Sequence, residues 1–121
     1  TQGQGSPQAT ARAKLKKKWF KALFEPGRKT DKGSTSAGVI IAWKIRFPSI
    51  SMGSIVPHRA IGTIINMDNL GDVAVISIYG HVNLWASTKS DLTIIFRTLA
   101  STGKPFIIAG DFNVGPDIMQ Q

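Results

Sequence analysis

The chain holds 121 residues with 42% hydrophobic content, enough for one small domain with a modest core. It has no cysteine and only two histidines, His58 and His81, which excludes disulfides, thiolate metal sites and histidine-based zinc sites; a metal would bind through oxygen, as magnesium, manganese and calcium do. The formal net charge of +8 favours polyanionic partners, nucleic acid first and an acidic membrane surface second.

The basic character belongs to the entry segment. Residues 1 to 35 carry nine Lys and Arg against two acids, whereas residues 36 to 121 carry six against five. Residues 1 to 7 are rich in Gln, Gly and Ser without periodicity, which predicts disorder. Residues 8 to 18 are good helix formers, and Ala11, Leu15 and Trp19 recur every four positions, which predicts a basic helix with a thin apolar stripe. Lys14, Lys16, Lys17, Lys18 and Lys21, beside the aromatic Trp19 and Phe20, are the candidate nucleic-acid contacts; a solvated charged face is the competing reading. A lysine cluster such as 16 to 18 also serves as a nuclear-import signal. No apolar run approaches the length of a membrane span and no hydrophobic signal core follows Thr1, so the chain reads as soluble and intracellular. It begins with Thr rather than Met, and so reads as a piece of something longer.

Residues 19 to 24 are aromatic-rich and predict a strand, ended by Glu25-Pro26-Gly27 and followed by a polar loop over 28 to 36. Residues 38 to 44 are a second, continuously apolar strand, and residues 45 to 56 look like a connection with little regular structure. After Pro57-His58-Arg59 a third strand is predicted over 60 to 66, where Ile61, Thr63 and Ile65 alternate with Ala60, Gly62 and Ile64. Asp68-Asn69-Leu70-Gly71-Asp72 has the composition of a turn, so this strand and the next, over 73 to 79, should form an antiparallel hairpin. Over 89 to 101, Leu92, Ile95, Phe96 and Leu99 fall on one helical face, and Gly103 and Pro105 stop the helix.

The last apolar run, Phe106-Ile107-Ile108-Ala109, reads as a strand buried on both faces within an α/β layer fold. Gly110 at its carboxyl end permits an unusual backbone angle, and Asp111 and Asn113, two positions apart, project the same way in extended geometry. One anionic acceptor and one amide facing a common ligand suit phosphoryl chemistry: the carboxylate can hold a metal or take a proton from water, and the amide can bond a phosphate oxygen. The competing reading is an Asx-turn in which both side chains bond local backbone. If the hairpin lies beside this strand, Tyr79 and Asp111 share an edge with Gly80, His81 and Asn83, at the crevice outside strand termini where α/β layers bind ligands. Tyr79 offers a phenol to a nucleophile or phosphate, with a packed rim aromatic as its alternative; His81 reads as a loop hydrogen-bonder sooner than a base. Arg59 offers a bidentate phosphate donor, although it is placed at the opposite strand end unless its side chain reaches across.

These residues together resemble the endonuclease/exonuclease/phosphatase superfamily, which includes apurinic endonucleases, pancreatic-type deoxyribonuclease and the endonuclease domain of non-LTR retrotransposons. The resemblance runs from about Trp19 to the C-terminus. Ser36-Ala37-Gly38-Val39-Ile40-Ile41 looks like the family's Gly-Val-Ala-Ile strand, Arg59 like the arginine opening its next hairpin, Ile76-Ser77-Ile78-Tyr79 like its Tyr-ended strand, and Gly110-Asp111-Phe112-Asn113 like its Gly-Asp-Phe/Leu-Asn signature. The resemblance implies a slice of a two-sheet α/β sandwich over residues 19 to 121. It implies Asp111 as the group that activates or orients the attacking water, and as a metal ligand, with Asn113 positioning phosphate and Tyr79 contacting it. Arg59, His81 and Asn83 would face phosphate, Asn83 after a loop one residue longer than the family's. The cofactor implied for an intact domain is Mg2+ or Mn2+, with no small-molecule cofactor, and the substrate a nucleic acid, or alternatively a phosphoinositide or sphingolipid. The family's Gln-Glu strand and closing Asp-His pair have no counterpart here, and Glu25, the one glutamate, is not given the metal-ligand role. The chain is therefore expected to be an incomplete domain, and a non-catalytic nucleic-acid-binding remnant is the competing function.

Overall fold

The structure, a computed structural model, describes residues 19 to 27 and 38 to 113. The expected disordered segment, the basic helix with Lys14, Lys16, Lys17 and Lys18, the polar loop and Asp117 lie outside the described residues, while Lys21 is exposed on the first strand. The elements are β1 (Phe20–Glu25), β2 (Val39–Lys44), β3 (Ser49–Val56), β4 (Ala60–Asn66), β5 (Asp72–Tyr79), α1 (Trp85–Thr102) and β6 (Phe106–Asp111), with a short 3-10 turn at Asp68–Leu70. Among the described residues no helix is long and apolar enough to cross a membrane.

Three layers result. A main sheet runs β3-β4-β5-β6, antiparallel except for the parallel pair β5 and β6, and a two-stranded antiparallel sheet is made by β1 and β2. Strand alternation sorts the side chains. Ala60, Ala74, Ile76 and Ile78 pack with Ile95 and Leu99 of α1, whereas Ile61, Val75 and Tyr79 pack with Val39 and Ile41 of the small sheet. That is why β4 and β5 read as continuous apolar runs: both of their faces are covered. Each fully buried isoleucine, such as Ile61, Ile76, Ile78 and Ile95, contributes about 1.5–3 kcal/mol before chain entropy is set against it. Ile76→Ala is accordingly expected to lower unfolding stability by about 2–5 kcal/mol, read as a shifted urea midpoint at unchanged slope.

Two expectations need correcting. Residues 45 to 56 are not a plain connection, because β3 occupies their last two thirds and pairs with β4. Its pattern is hidden by a bulge between Ser51 and Gly53, where Gly53 has φ 74°; Met52 and Ile55 both pack on the α1 side although they are three residues apart. The motif strand is not buried on both faces either. Among the described residues β6 is an edge strand, with Phe106 47% and Ile107 50% exposed, since the small sheet packs on β4 and β5 and stops short of it. An apolar cleft of about 400 Å³, lined by Trp43, Phe47, Val75 and Ile107 among others, stands where the small sheet stops short of β6.

The helix starts four residues earlier than its apolar stripe suggests and ends at Gly103, which takes the left-handed cap conformation at φ 65°. Its buried face is Thr88, Asp91, Ile95 and Leu99; Phe96 lies to the side, half exposed, edge-on to Phe106. At the far end of β5 from the motif, Asn66 donates to Asp72 at 3.0 Å and Lys104 at 3.4 Å. Asn66 chiefly, helped by Lys104, holds the Asp72 carboxyl below its usual value against a smaller opposing effect of burial. A depressed folded-state value means that this contribution is present at neutral pH and is lost as pH falls through that value.

Candidate active site

Parallel pairing puts the carboxyl ends of β5 and β6 at the same edge, and Tyr79 and Asp111 are register partners there. Side chains of partners in a parallel ladder share a face, which here is the face toward β1 and β2. The two glycines beside them allow the loops to meet. Gly110 has φ 142°, and a Cβ on it would fall on the carbonyl oxygen of Ile78; a Cβ on Gly80 would fall on the backbone carbonyl of Phe112.

The peptide of Gly80 is the hub of this corner. Its N–H donates to the Asp111 carbonyl at 2.6 Å, and its own carbonyl accepts from Asn113 Nδ2 at 2.7 Å and Arg59 Nη1 at 3.0 Å. The Asn113 N–H donates to Asp111 Oδ1 at 2.8 Å, so the Asx-turn geometry and the convergence of the motif side chains occur together. Asp111 is exposed, and among the described residues its Oδ2 has no hydrogen-bond partner.

Arg59 is at this end of the sheet, not the opposite one. In the β4–β5 hairpin the start of β4 lies against the end of β5, with Ala60 opposite Ile78 and the Tyr79 N–H donating to the Arg59 carbonyl at 2.8 Å. The guanidinium carbon stands 5.2 Å from the centre of the Tyr79 ring, and Nη1 also approaches the Tyr79 carbonyl at 3.4 Å. Part of its donor fork therefore holds backbone.

His81 is tied down twice: its N–H donates to Thr88 Oγ1 at 2.9 Å, and its Nε2 lies 2.8 Å from Asp91 Oδ2, both side chains largely buried. Asn83, at φ 56°, is exposed on the same loop. Of the five non-glycine residues with positive φ among those described, His58, Asn83 and Asn113 stand in loops at this end; such backbone costs of order 1 kcal/mol or more and persists where the surroundings impose it. Glu25 accepts the His58 N–H at 2.8 Å and Ser54 Oγ at 3.2 Å, while His58 Nδ1 donates to the Pro26 carbonyl at 3.0 Å. Glu25, Thr88 and Asp91 are thus supports that the sequence did not reveal. For Thr88 and Asp91 the signal was their place on the buried stripe of α1, three and four residues before Asp91 and Ile95 respectively.

Among the described residues no three His, Asp or Glu side chains come together in a way that could hold a metal ion. Asp111 offers one carboxylate, while Glu25 and Asp91 are engaged by His58 and His81. Magnesium keeps several of its waters and is commonly held by one or two carboxylates together with substrate phosphate oxygens, so Asp111 is the described carboxylate free to take part in such a site.

No family model matches the chain, and no curated protein matches it. Among solved structures it is similar to the human Nocturnin catalytic domain with bound sulfate anion, at 16% identity and a TM-score of 0.57, over 88% of this chain and 47% of that one. The chain thus spans about half the length of that structure. The likeness shows the fold alone, a mixed α/β arrangement of two sheets and a helix.

Proposed function

We propose that this chain is part of a phosphodiester hydrolase, most simply an endonuclease, and that it supplies Asp111, Tyr79 and Asn113 to the reacting end of the domain. The observation that carries the reading is the register pairing of Tyr79 with Asp111 at the carboxyl edge of β5 and β6, with Asn113 braced on Gly80 beside them. Asp111, held at Oδ1, presents Oδ2 to orient a water or take its proton as it attacks phosphorus. The Tyr79 hydroxyl donates to a non-bridging phosphate oxygen, and Arg59 adds positive charge behind the ring. Asn113 keeps the Asp111 loop against Gly80 and leaves its side-chain carbonyl for the water or the phosphate ester. The magnesium or manganese expected of an intact domain would need donors beyond the described residues, and no step here is routed through it.

A second reading, a nucleic-acid-binding piece without catalysis, is supported by that single carboxylate and by the nine Lys and Arg of residues 1 to 35. Plasmid nicking with magnesium, by the chain alone and by a longer protein that contains it, separates the two. Cleavage should be poor for the chain alone and robust for the longer protein; no cleavage by either, with DNA still bound, favours the second reading. Deleting residues 1 to 35 should flatten the dependence of DNA affinity on salt, because every phosphate that the segment neutralises contributes close to one unit of slope. An unchanged slope would make that segment a solvated face.

A further inference from the structure

The two-stranded sheet carries an apolar face that no described element covers. Val39, Ile41 and Trp43 of β2 and Leu23 of β1 pack toward the main sheet, so their neighbours along each strand point away from it. Antiparallel partners share a face, and the pairs turned outward are Phe24 with Ile40, Ala22 with Ala42, and Phe20 with Lys44. Five of these six side chains are apolar, none joins a core cluster among the described residues, and Ile40 is 41% exposed. A sheet face of this composition is stabilised when a second layer removes it from water.

The chain enters the sheet beside that face. The Trp19 carbonyl accepts the Ile45 N–H at 2.8 Å, at the Phe20–Lys44 end, and Trp19 has φ 68°, a turn of the backbone directly before β1. Residues 8 to 18, expected from their sequence to be a basic helix, lead into this turn. We propose that this helix folds back along β1 and seats its apolar stripe on the outward face of the small sheet. The spacings match. Back from Trp19, Leu15 lies four helical residues away, about 6 Å, and Ala11 about 6 Å further. Forward from Phe20, the pair Ala22–Ala42 lies two strand residues away, about 6.6 Å, and Phe24–Ile40 the same again. Leu15 thus meets two alanines and Ala11 meets a phenylalanine and an isoleucine, large over small and small over large. Lys14, Lys16 and Lys17 fall on the opposite side of the helix, while Arg12 and Lys18 flank the stripe, where their stems lie on apolar surface and their charges reach water. The one charged residue of the seat, Lys44, has the same sign as the helix, so apolar contact and not ion pairing holds it. Any polyanion that the lysines bind then meets a ridge already in place. The inference goes beyond the function proposed for the Asp111 corner and does not rest on it, since Tyr79 packs against the inner face of the small sheet.

The chain has no cysteine, so Ala13→Cys gives one site for a nitroxide spin label, on the solvent side of the helix. In the full chain the label should broaden the amide NMR signals of Phe24 and Ile40, at the end of the sheet far from Trp19, more than those of Ile94 and Arg97 on α1. Added salt should leave this pattern unchanged. Ala42→Lys lies outside both core clusters and should abolish the broadening at Ile40 while the signals of α1 and the main sheet stay in place. Leu15→Ala should raise the unfolding constant in urea about tenfold or more. Equal broadening at Ile40 and on α1, a pattern untouched by Ala42→Lys, or an unfolding constant changed less than about twofold by Leu15→Ala would each overturn the seat. So would broadening at Ile40 that appears only when DNA is added, because nucleic acid and not the sheet would then be ordering the helix.

Discussion

Gly110→Ala is expected to break the pairing of β6 with β5 at the position where the motif begins. At φ 142° an alanine is strained in any surroundings, and its Cβ would clash with the carbonyl oxygen of Ile78, a backbone atom fixed within the main sheet. Neither side can yield cheaply. β5 is held by β4 on its other edge and by α1 on one face, so β6 must move, and with it the Asp111 carbonyl that accepts from Gly80. A loss of about 3 kcal/mol or more is expected in urea unfolding, together with faster amide exchange along β6 than along β4. A change within about 1 kcal/mol would mean that the Ile78–Gly110 register is not the one described.

The parts of the fold that were legible are those whose surroundings act on both faces of an element. β4 and β5 are covered on both sides, so Ile61, Ile65, Ala74, Ile76 and Ile78 leave unbroken apolar runs that periodicity detects. β3 was missed because an edge strand needs only one apolar face, and the bulge at Gly53 resets its alternation midway. The same one-dimensional signal misled at β6: four apolar residues in a row look alike whether a strand is central or outermost, and Phe106 and Ile107 stand half exposed. At the site, the adjacency of Tyr79 and Asp111 followed from two strand ends, whereas the place of Arg59 depended on working through the antiparallel hairpin. The Gly80 carbonyl could not be read from sequence at all. A backbone acceptor shared by Arg59 and Asn113 has no side-chain signature.

Within a longer protein that carries this segment and cleaves DNA, Asp111→Asn is expected to lower kcat about 10²- to 10⁴-fold while leaving stability nearly unchanged. The substitution isolates charge from geometry. An asparagine oxygen can still accept the Asn113 N–H, so the turn that seats Asn113 against Gly80 survives, but the group facing solvent no longer takes a proton. Asp111→Ala removes both functions; beyond the rate loss it should cost about 1 kcal/mol for the missing hydrogen bond. Tyr79→Phe keeps the ring beneath Arg59 and removes only the hydroxyl, so a smaller loss is expected than at Asp111. The order of the three variants in rate, set beside their order in stability, separates a reacting carboxylate from a structural Asx-turn. Should Asp111→Asn retain activity within about threefold of wild type, the carboxylate is not needed at this corner, and its hydrogen bond to Asn113 would be its whole purpose.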